Sequence, residues 1–184
     1  MNEKGKSEMK IQNIIIAGVT AMLLGAAAAS AQSPAELNDL QIAHVAYTAD
    51  NIDIRYAHLA LGKSTNPAVH EFAKTMIRDH TAVNEQALAL LKKLNAQPQD
   101  NFLSRQLTQN SVKLVEKMSE LEGEAFDRFY SENELAYHRA VNDLVANAFI
   151  PNIENAEVKA LFEAGLKIFR AHEHHAEMMV AALQ

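Results

Sequence analysis

Apolar positions from residue 33 onward recur every three to four residues, which is the spacing of amphipathic helices. The clearest case runs from Val69 to Leu94, where the apolar side chains share one face of a helical wheel and the charged ones share the other. β-Branched runs are few and strand-like alternation is missing. The pattern therefore predicts an all-α fold.

Start and stop signals divide this pattern into four long helices. Ser33-Pro34-Ala35-Glu36 reads as a capping box, and Asn66-Pro67 and Asn155 read as further helix starts. Ser119 with Glu122 predicts another start, and Pro151 predicts a stop. We expect helix A at about 35–61, B at about 67–95, C at about 121–149 and D at about 156–182. A short extra helix is expected at about 104–118, in the B–C connection. Short A–B and C–D turns predict two antiparallel hairpins and hence a four-helix bundle.

Each predicted helix places an ionisable side chain on or beside its apolar face. His80 lies near the middle of the apolar arc of helix B, and His172 lies among the inner positions of helix D. On helix C, Glu134 falls beside the buried positions and His138 lines their edge. On helix A, Asp53 interrupts the apolar side, with Asp50 nearby. A buried imidazole or carboxylate without a partner costs several kcal/mol, so we expect these groups to meet one another or a metal ion.

Counting residues from the predicted turns tests whether these groups share one level. His80, His138, Glu134 and His172 lie about 14 to 20 residues from the turns, within a layer roughly 9 Å thick at ~1.5 Å per residue. Asp53 lies only about 10 residues from its turn, and Tyr47 occupies the level of His80 on helix A. The count therefore predicts that Asp53 sits nearer the turn than the histidines.

The first residues carry the marks of a cleaved secretory signal. Lys4, Lys6 and Lys10 precede the apolar run "IIIAGVTAMLLGAAAA", which ends at Ala29-Ser30-Ala31. Cleavage after Ala31 leaves residues 32–184 as one domain, with no stable membrane span in the mature form. Translation starts at Met1 or at Met9.

Composition excludes several classes of protein. The formal net charge is −6, and removing a segment with three Lys and two Glu makes it −7, so a nucleic-acid partner is not expected. The absence of cysteine excludes disulfides, thiolate metal sites and cysteine nucleophiles. No nucleophile elbow, phosphate loop or dinucleotide motif occurs, so an enzymatic activity would rest on a metal alone, and the sequence leans against an enzyme.

Two hypotheses remain open for the buried polar residues. In the first they form a hydrogen-bonded network that sets helix register in a non-catalytic interaction or stress-associated module. In the second, one divalent transition metal ion (Zn²⁺, Cu²⁺ or Fe²⁺) is held by His80, His138 and His172, with Glu134 or Asp53 completing the shell. A di-iron centre is disfavoured, because Ile77 and Phe169 stand where a Glu-x-x-His pattern requires Glu. We favour the first hypothesis from the sequence alone.

Three stretches resemble a known family. "LALGKSTNPAVHEFAKTMIRDH", "FDRFYSENELAYHRAV" and "LFEAGLKIFRAHEHHAEMM" are similar to the exported proteins called domain of unknown function 4142. The resemblance implies a ferritin-like, up-down-up-down four-helix bundle in the bacterial periplasm, without an assigned activity. Asp53 stands where the family usually has Glu, and Leu166-Lys167 where it often has Leu-Pro. A protein partner is compatible with this reading, and the sequence gives no oligomeric state.

Overall fold

A computed structural model describes residues 33–184, in which five long helices and no strand occur. The helices are α1 (Asp39–Lys63), α2 (Pro67–Lys93), α3 (Phe102–Ser119), α4 (Gly123–Leu144) and α5 (Ala156–Ala182). They correspond to predicted helices A, B, the extra helix, C and D in that order. The predicted all-α class is confirmed. The predicted signal peptide, residues 1–31, lies outside the described residues and stays a prediction.

Helix starts follow side-chain caps, with one correction. The Asn155 amide oxygen accepts hydrogen bonds from the backbone N–H groups of Glu157 and Val158, and Asn66 caps α2 in the same way. Ser33 does form the predicted capping box, but it opens only a three-residue 3₁₀ turn, Pro34–Glu36. The long helix α1 begins later, behind a second capping box made by Asn38 and Gln41. Two consecutive caps explain why the predicted start of helix A was too early.

The start of α4 differs from the prediction. Ser119 is the last residue of α3, and α4 begins at Gly123, behind Glu122, which makes no side-chain cap. Gly123 has a φ of 52°, a conformation that is costly for residues with a Cβ, and it allows a turn of three residues between the helices. Lys63 donates to the Ser119 carbonyl and the Glu122 carboxylate across this turn.

The end of α4 also differs from the prediction, since Pro151 does not stop it. A π-helical turn, Val145–Phe149, continues α4 into a helical turn, Ile150–Asn152, that contains Pro151. The N–H of Ile150 bonds to the carbonyl of Val145, five residues back. Proline lacks an N–H and its ring crowds the preceding turn, so the wider π turn admits Pro151 where a regular helix would break.

The core lies between helices that pack in pairs along the chain. α1 packs along α2 and α4 packs along α5, while α2 also meets α5, and α1 also meets α3 and α4. The largest completely buried side chains include Tyr56, Phe72 and Tyr130. The Tyr137 hydroxyl donates to the Ala49 carbonyl at 2.9 Å and so ties α4 to α1. Within residues 33–184 no helix is both long and apolar enough to cross a membrane.

The Asn155 cap gives a test of the start of α5. We expect Asn155→Ala to lower the free energy of unfolding by about 1 kcal/mol, because it leaves two backbone N–H groups without an acceptor. Urea unfolding followed by circular dichroism measures this loss. Asn155→Asp keeps the acceptor and is the control, and equal losses in both variants would contradict the role of the cap.

Candidate metal centre

Four helices deliver the predicted polar residues to one buried cluster. Asp53 comes from α1, His80 from α2, Glu134 and His138 from α4, and His172 from α5. Their exposed fractions are 0% for Asp53 and Glu134, 2% for His138 and His172, and 4% for His80. All five residues singled out from the sequence are therefore buried, and the distances between them decide what they can do.

The Asp53 carboxylate lies at the centre of this cluster. Its Oδ2 is 2.8 Å from Nε2 of His80 and 3.3 Å from Nε2 of His138. Neither contact is aligned as a hydrogen bond, and both Asp53 oxygens and both nitrogens lack a hydrogen-bond partner in the described chain. A carboxylate oxygen and two imidazole nitrogens, which are atoms that commonly bind metal ions, therefore lie close together without hydrogen-bond alignment.

Each histidine is held by its other ring nitrogen. His80 Nδ1 is 2.7 Å from Asp50 Oδ1, and His138 Nδ1 is 2.9 Å from the Glu134 carbonyl oxygen. His172 Nε2 is 3.0 Å from Asp79 Oδ2. One nitrogen of each ring therefore has an oxygen partner that fixes the ring, and the opposite nitrogen is left without a hydrogen bond.

Ligand atoms of these residues lie close together in two overlapping sets. Ligand atoms of His80, His138 and His172 all lie within 4.8 Å of one another, and the same holds for Asp53, Glu134 and His138. Because His138 belongs to both sets, the two triplets form one continuous site. Both Glu134 oxygens are also buried without a hydrogen bond.

Aromatic rings enclose the histidines. Phe169 stacks on the His80 ring with centroids 5.1 Å apart and planes 12° apart, and Phe72 meets the His138 ring edge-on at 6.1 Å. The Tyr130 hydroxyl is completely buried and has no partner among the described residues. These walls exclude water, which strengthens every charge interaction inside the cluster.

Asp79 connects the cluster with the surface. Its side chain is 24% exposed, against 3% for His172, which it holds. Arg78 contacts its two oxygens at 2.6 and 3.1 Å, and the pKa of Asp79 is lowered, first by the hydrogen bond from Arg78. Asp79 is therefore ionised and anchors His172 from the outer side.

His80 and Asp53 carry opposite charges within the cluster. Burial alone would lower the pKa of His80, but the charge of Asp53, 2.8 Å away, and the hydrogen bond to Asp50 outweigh it and raise the pKa to about 10. Burial alone would raise the pKa of Asp53, but His80 above all lowers it to about 2. Without a metal, His80 is thus an imidazolium facing an ionised Asp53.

Burial favours the neutral forms of Glu134, His138 and His172. Burial, then the charge of Asp53, raises the pKa of Glu134 well above its usual value. Burial lowers the pKa of His138, and it lowers the pKa of His172 to about 4 against the partial compensation by Asp79. Two neutral imidazoles with an unbonded nitrogen each are in the form that binds metals.

The depth count from the sequence placed Asp53 too far from His80, and the structure shows why the count misled. The α1–α2 connection is Ser64–Asn66, so Asp50 and His80 each lie 15 residues from Thr65, at the same level. Asp53 is 12 residues from Thr65, an offset of three residues or about 4.5 Å, which the two side chains bridge. Sequence reasoning missed Asp50 as the partner of His80, although its equal distance from the turn was a usable signal.

Asp79 was also missed as the partner of His172. It lies next to His80 in sequence and therefore points away from it around the helix, toward α5. An Asp next to a buried His on a helix commonly lies at the surface. The sequence therefore does not indicate that Asp79 contacts another helix.

These features define an all-helical protein with a buried histidine–carboxylate cluster that is compatible with metal binding. Comparison with protein families matches residues 24–179 to the model described as Domain of unknown function (DUF4142). The chain belongs to this family, as the resemblance predicted. No curated protein and no solved structure matches the chain significantly.

The lowered pKa of His172 predicts a pH dependence of stability. Below the usual value of 6.5 the unfolded chain binds a proton at this position, whereas the folded chain binds it only near pH 4. The contribution of neutral His172 is therefore lost as the pH falls from 6.5 to 4. We expect the unfolding free energy of the unsubstituted protein, relative to His172→Gln, to fall by about 3 kcal/mol over this range.

Chemical denaturation in the presence of a chelator measures this difference at each pH. His174→Gln is the matched control, since the His174 side chain lies two residues away on α5 and is 72% exposed. A difference that stays constant between pH 6.5 and 4 would show that His172 is not desolvated in solution.

Proposed function

We propose that this chain binds one divalent transition metal ion in the buried cluster, with His80, His138, His172 and Asp53 as ligands and Glu134 beside them. The observation that carries the proposal is that three buried histidines bring ring nitrogens within 4.8 Å of one another, and that each ring keeps one nitrogen without a hydrogen bond while an oxygen holds the opposite nitrogen. Metal-ligating histidines have this arrangement almost always, because the outer hydrogen bond fixes the ring and its tautomer.

The distances support the proposal. Two ligands about 2.1 Å from a metal, at angles between about 90° and 109°, are separated by about 3.0 to 3.4 Å. The contacts of Asp53 Oδ2 with His80 and His138, 2.8 and 3.3 Å, are close to such ligand–ligand separations.

The types of ligand restrict which metal ion the site can hold. Three imidazoles and a carboxylate suit Zn²⁺, Cu²⁺ or Fe²⁺ and do not suit Ca²⁺ or Mg²⁺, which prefer oxygen shells. Binding would displace the proton of His80, so the metal replaces the imidazolium as the positive charge facing Asp53. A role in metal transport, buffering or redox protection is consistent with such a site.

Metal analysis and thermal melting test the proposal. We expect one metal ion per purified chain, and a melting temperature about 5 to 10 °C higher with metal at about 100 times its Kd than with chelator. His172→Ala removes one ligand, so it should abolish most of this shift. His174→Ala, on the same helix and outside the cluster, should keep it.

A second candidate function has its own support. Asp50 and Asp53 flank the two nitrogens of His80 at 2.7 and 2.8 Å, and the pKa of His80 is about 10. This trio balances most of its charge without a metal. In that case the cluster sets helix register in a non-catalytic interaction or stress-associated module, which is the function that we favour from the sequence alone. Absence of stoichiometric metal and an unchanged melting temperature with chelator would select this function over metal binding.

We further propose a ferritin-like, up-down-up-down bundle made of α1, α2, α4 and α5, with α3 in the central connection. The packing of α1 against α2 and of α4 against α5 supports this arrangement. The buried cluster supports it too, because all four helices contribute residues to it. Helix α3, at 18 residues, is longer than the short helix expected from the sequence.

We also propose export to the periplasm. The basic residues, the apolar run and the Ala29-Ser30-Ala31 site support a secretory signal. Export has a consequence for the site, because the cluster would meet metal ions outside the cytoplasm and its metal-handling proteins.

The signal makes a sharp prediction. In a bacterial expression host, the protein recovered from the periplasmic fraction should have the mass of residues 32–184. Ala31→Tyr, which puts a bulky residue at the cleavage position, should leave the full-length precursor with the membrane fraction. Full-length protein in the cytoplasm for both variants would contradict export.

A further inference from the structure

A pocket lined by α1, α2 and α5 lies beside the cluster. Its empty volume, open mouth included, is about 530 Å³. The walls are mostly apolar and include Ala43, Ala87, Leu90 and Leu161. Asp50 and Phe169 separate it from the histidines, since both line the pocket and both touch His80.

Polar atoms occur at Asn84 and Asp50. Asn84 lines the pocket, is 7% exposed, and its Oδ1 has no hydrogen-bond partner in the described chain. A buried amide oxygen without a donor is costly, and a ligand that donates to it removes this cost. Asp50 is 5% exposed and uses Oδ1 for His80.

The charged residues that line the pocket determine which sign of ligand charge it favours. Among the described residues that line the pocket none is basic, and the charged one is Asp50. A positively charged donor complements the Asp50 carboxylate and the Asn84 amide oxygen, whereas a carboxylate ligand would be repelled by Asp50.

We propose that this pocket binds a slim aliphatic primary amine in its ammonium form, with the head at Asp50 and Asn84 and the chain along the alanine and leucine walls. The small side chains of Ala43 and Ala87 leave room for an unbranched chain, and apolar burial adds to the charged contact. The site is distinct from the proposed metal centre and does not depend on a metal ion.

Isothermal titration calorimetry of the purified protein with n-hexylamine at neutral pH tests the proposal. We expect saturable binding of one amine per chain, at least about tenfold weaker binding of n-hexanol, and no measurable binding of hexanoate. Equal binding of all three probes would overturn the proposal, since it would show partition into an apolar surface without recognition of the head.

Matched variants place the ligand in the pocket. Ala87→Leu fills the pocket and should remove binding, while Ala89→Leu makes the same change at an exposed position of the same helix and should leave it unchanged. Asn84→Leu removes the amide acceptor and should weaken binding about tenfold or more, which keeps the test decisive should Ala87→Leu fail to fold. Unchanged binding in both pocket variants would overturn the proposal.

A chelator arm separates this site from the metal centre. Binding of n-hexylamine should persist in the presence of EDTA, because the head contacts Asp50 and Asn84 and no metal ion is needed for these contacts. Binding that disappears with EDTA would show that the amine coordinates a metal ion, and it would reject the pocket while supporting the proposed metal site.

Discussion

The carboxylate of Asp53 is completely buried and ionised, and a buried charge is tolerated only beside a compensating one. His80 supplies the positive charge from the neighbouring helix, and Asp50 holds the other side of its ring. This compensation exists in one register of α1 against α2. A slip by one helical turn, about 5.4 Å, would leave the carboxylates and the imidazolium unpaired inside the protein.

Further polar contacts extend this register to the other helices. His138 brings α4 to Asp53, the Tyr137 hydroxyl binds the Ala49 carbonyl, and His172 joins α5 to Asp79 on α2. Apolar burial supplies most of the driving force for folding, but it is not directional. Helices with purely apolar contact faces would therefore bury similar apolar surface area in several alignments. The polar contacts distinguish one alignment from the others. A metal ion in the same place would use the same geometry.

Helix existence and burial could be predicted because both follow from local spacing. The wheel positions of His80 and His172 and the caps at Asn66 and Asn155 needed no tertiary information. The pairing of His80 with Asp50 could not be read in this way, since it depends on the three-residue connection and the lengths of two side chains. The π turn that admits Pro151 likewise depends on packing around α4 and leaves no local signature.

The tight enclosure of the cluster bears on how fast anything reaches it. Its five central residues are at most 4% exposed, and Asp79, at 24% of its side chain, is the part of its support nearest to solvent. A solute must therefore wait for the helices to separate locally, and the frequency of such openings depends on their free energy and not on diffusion. A solute bound in the interior would therefore exchange slowly, and it would stay bound after its concentration outside has fallen for longer than it would at an open site.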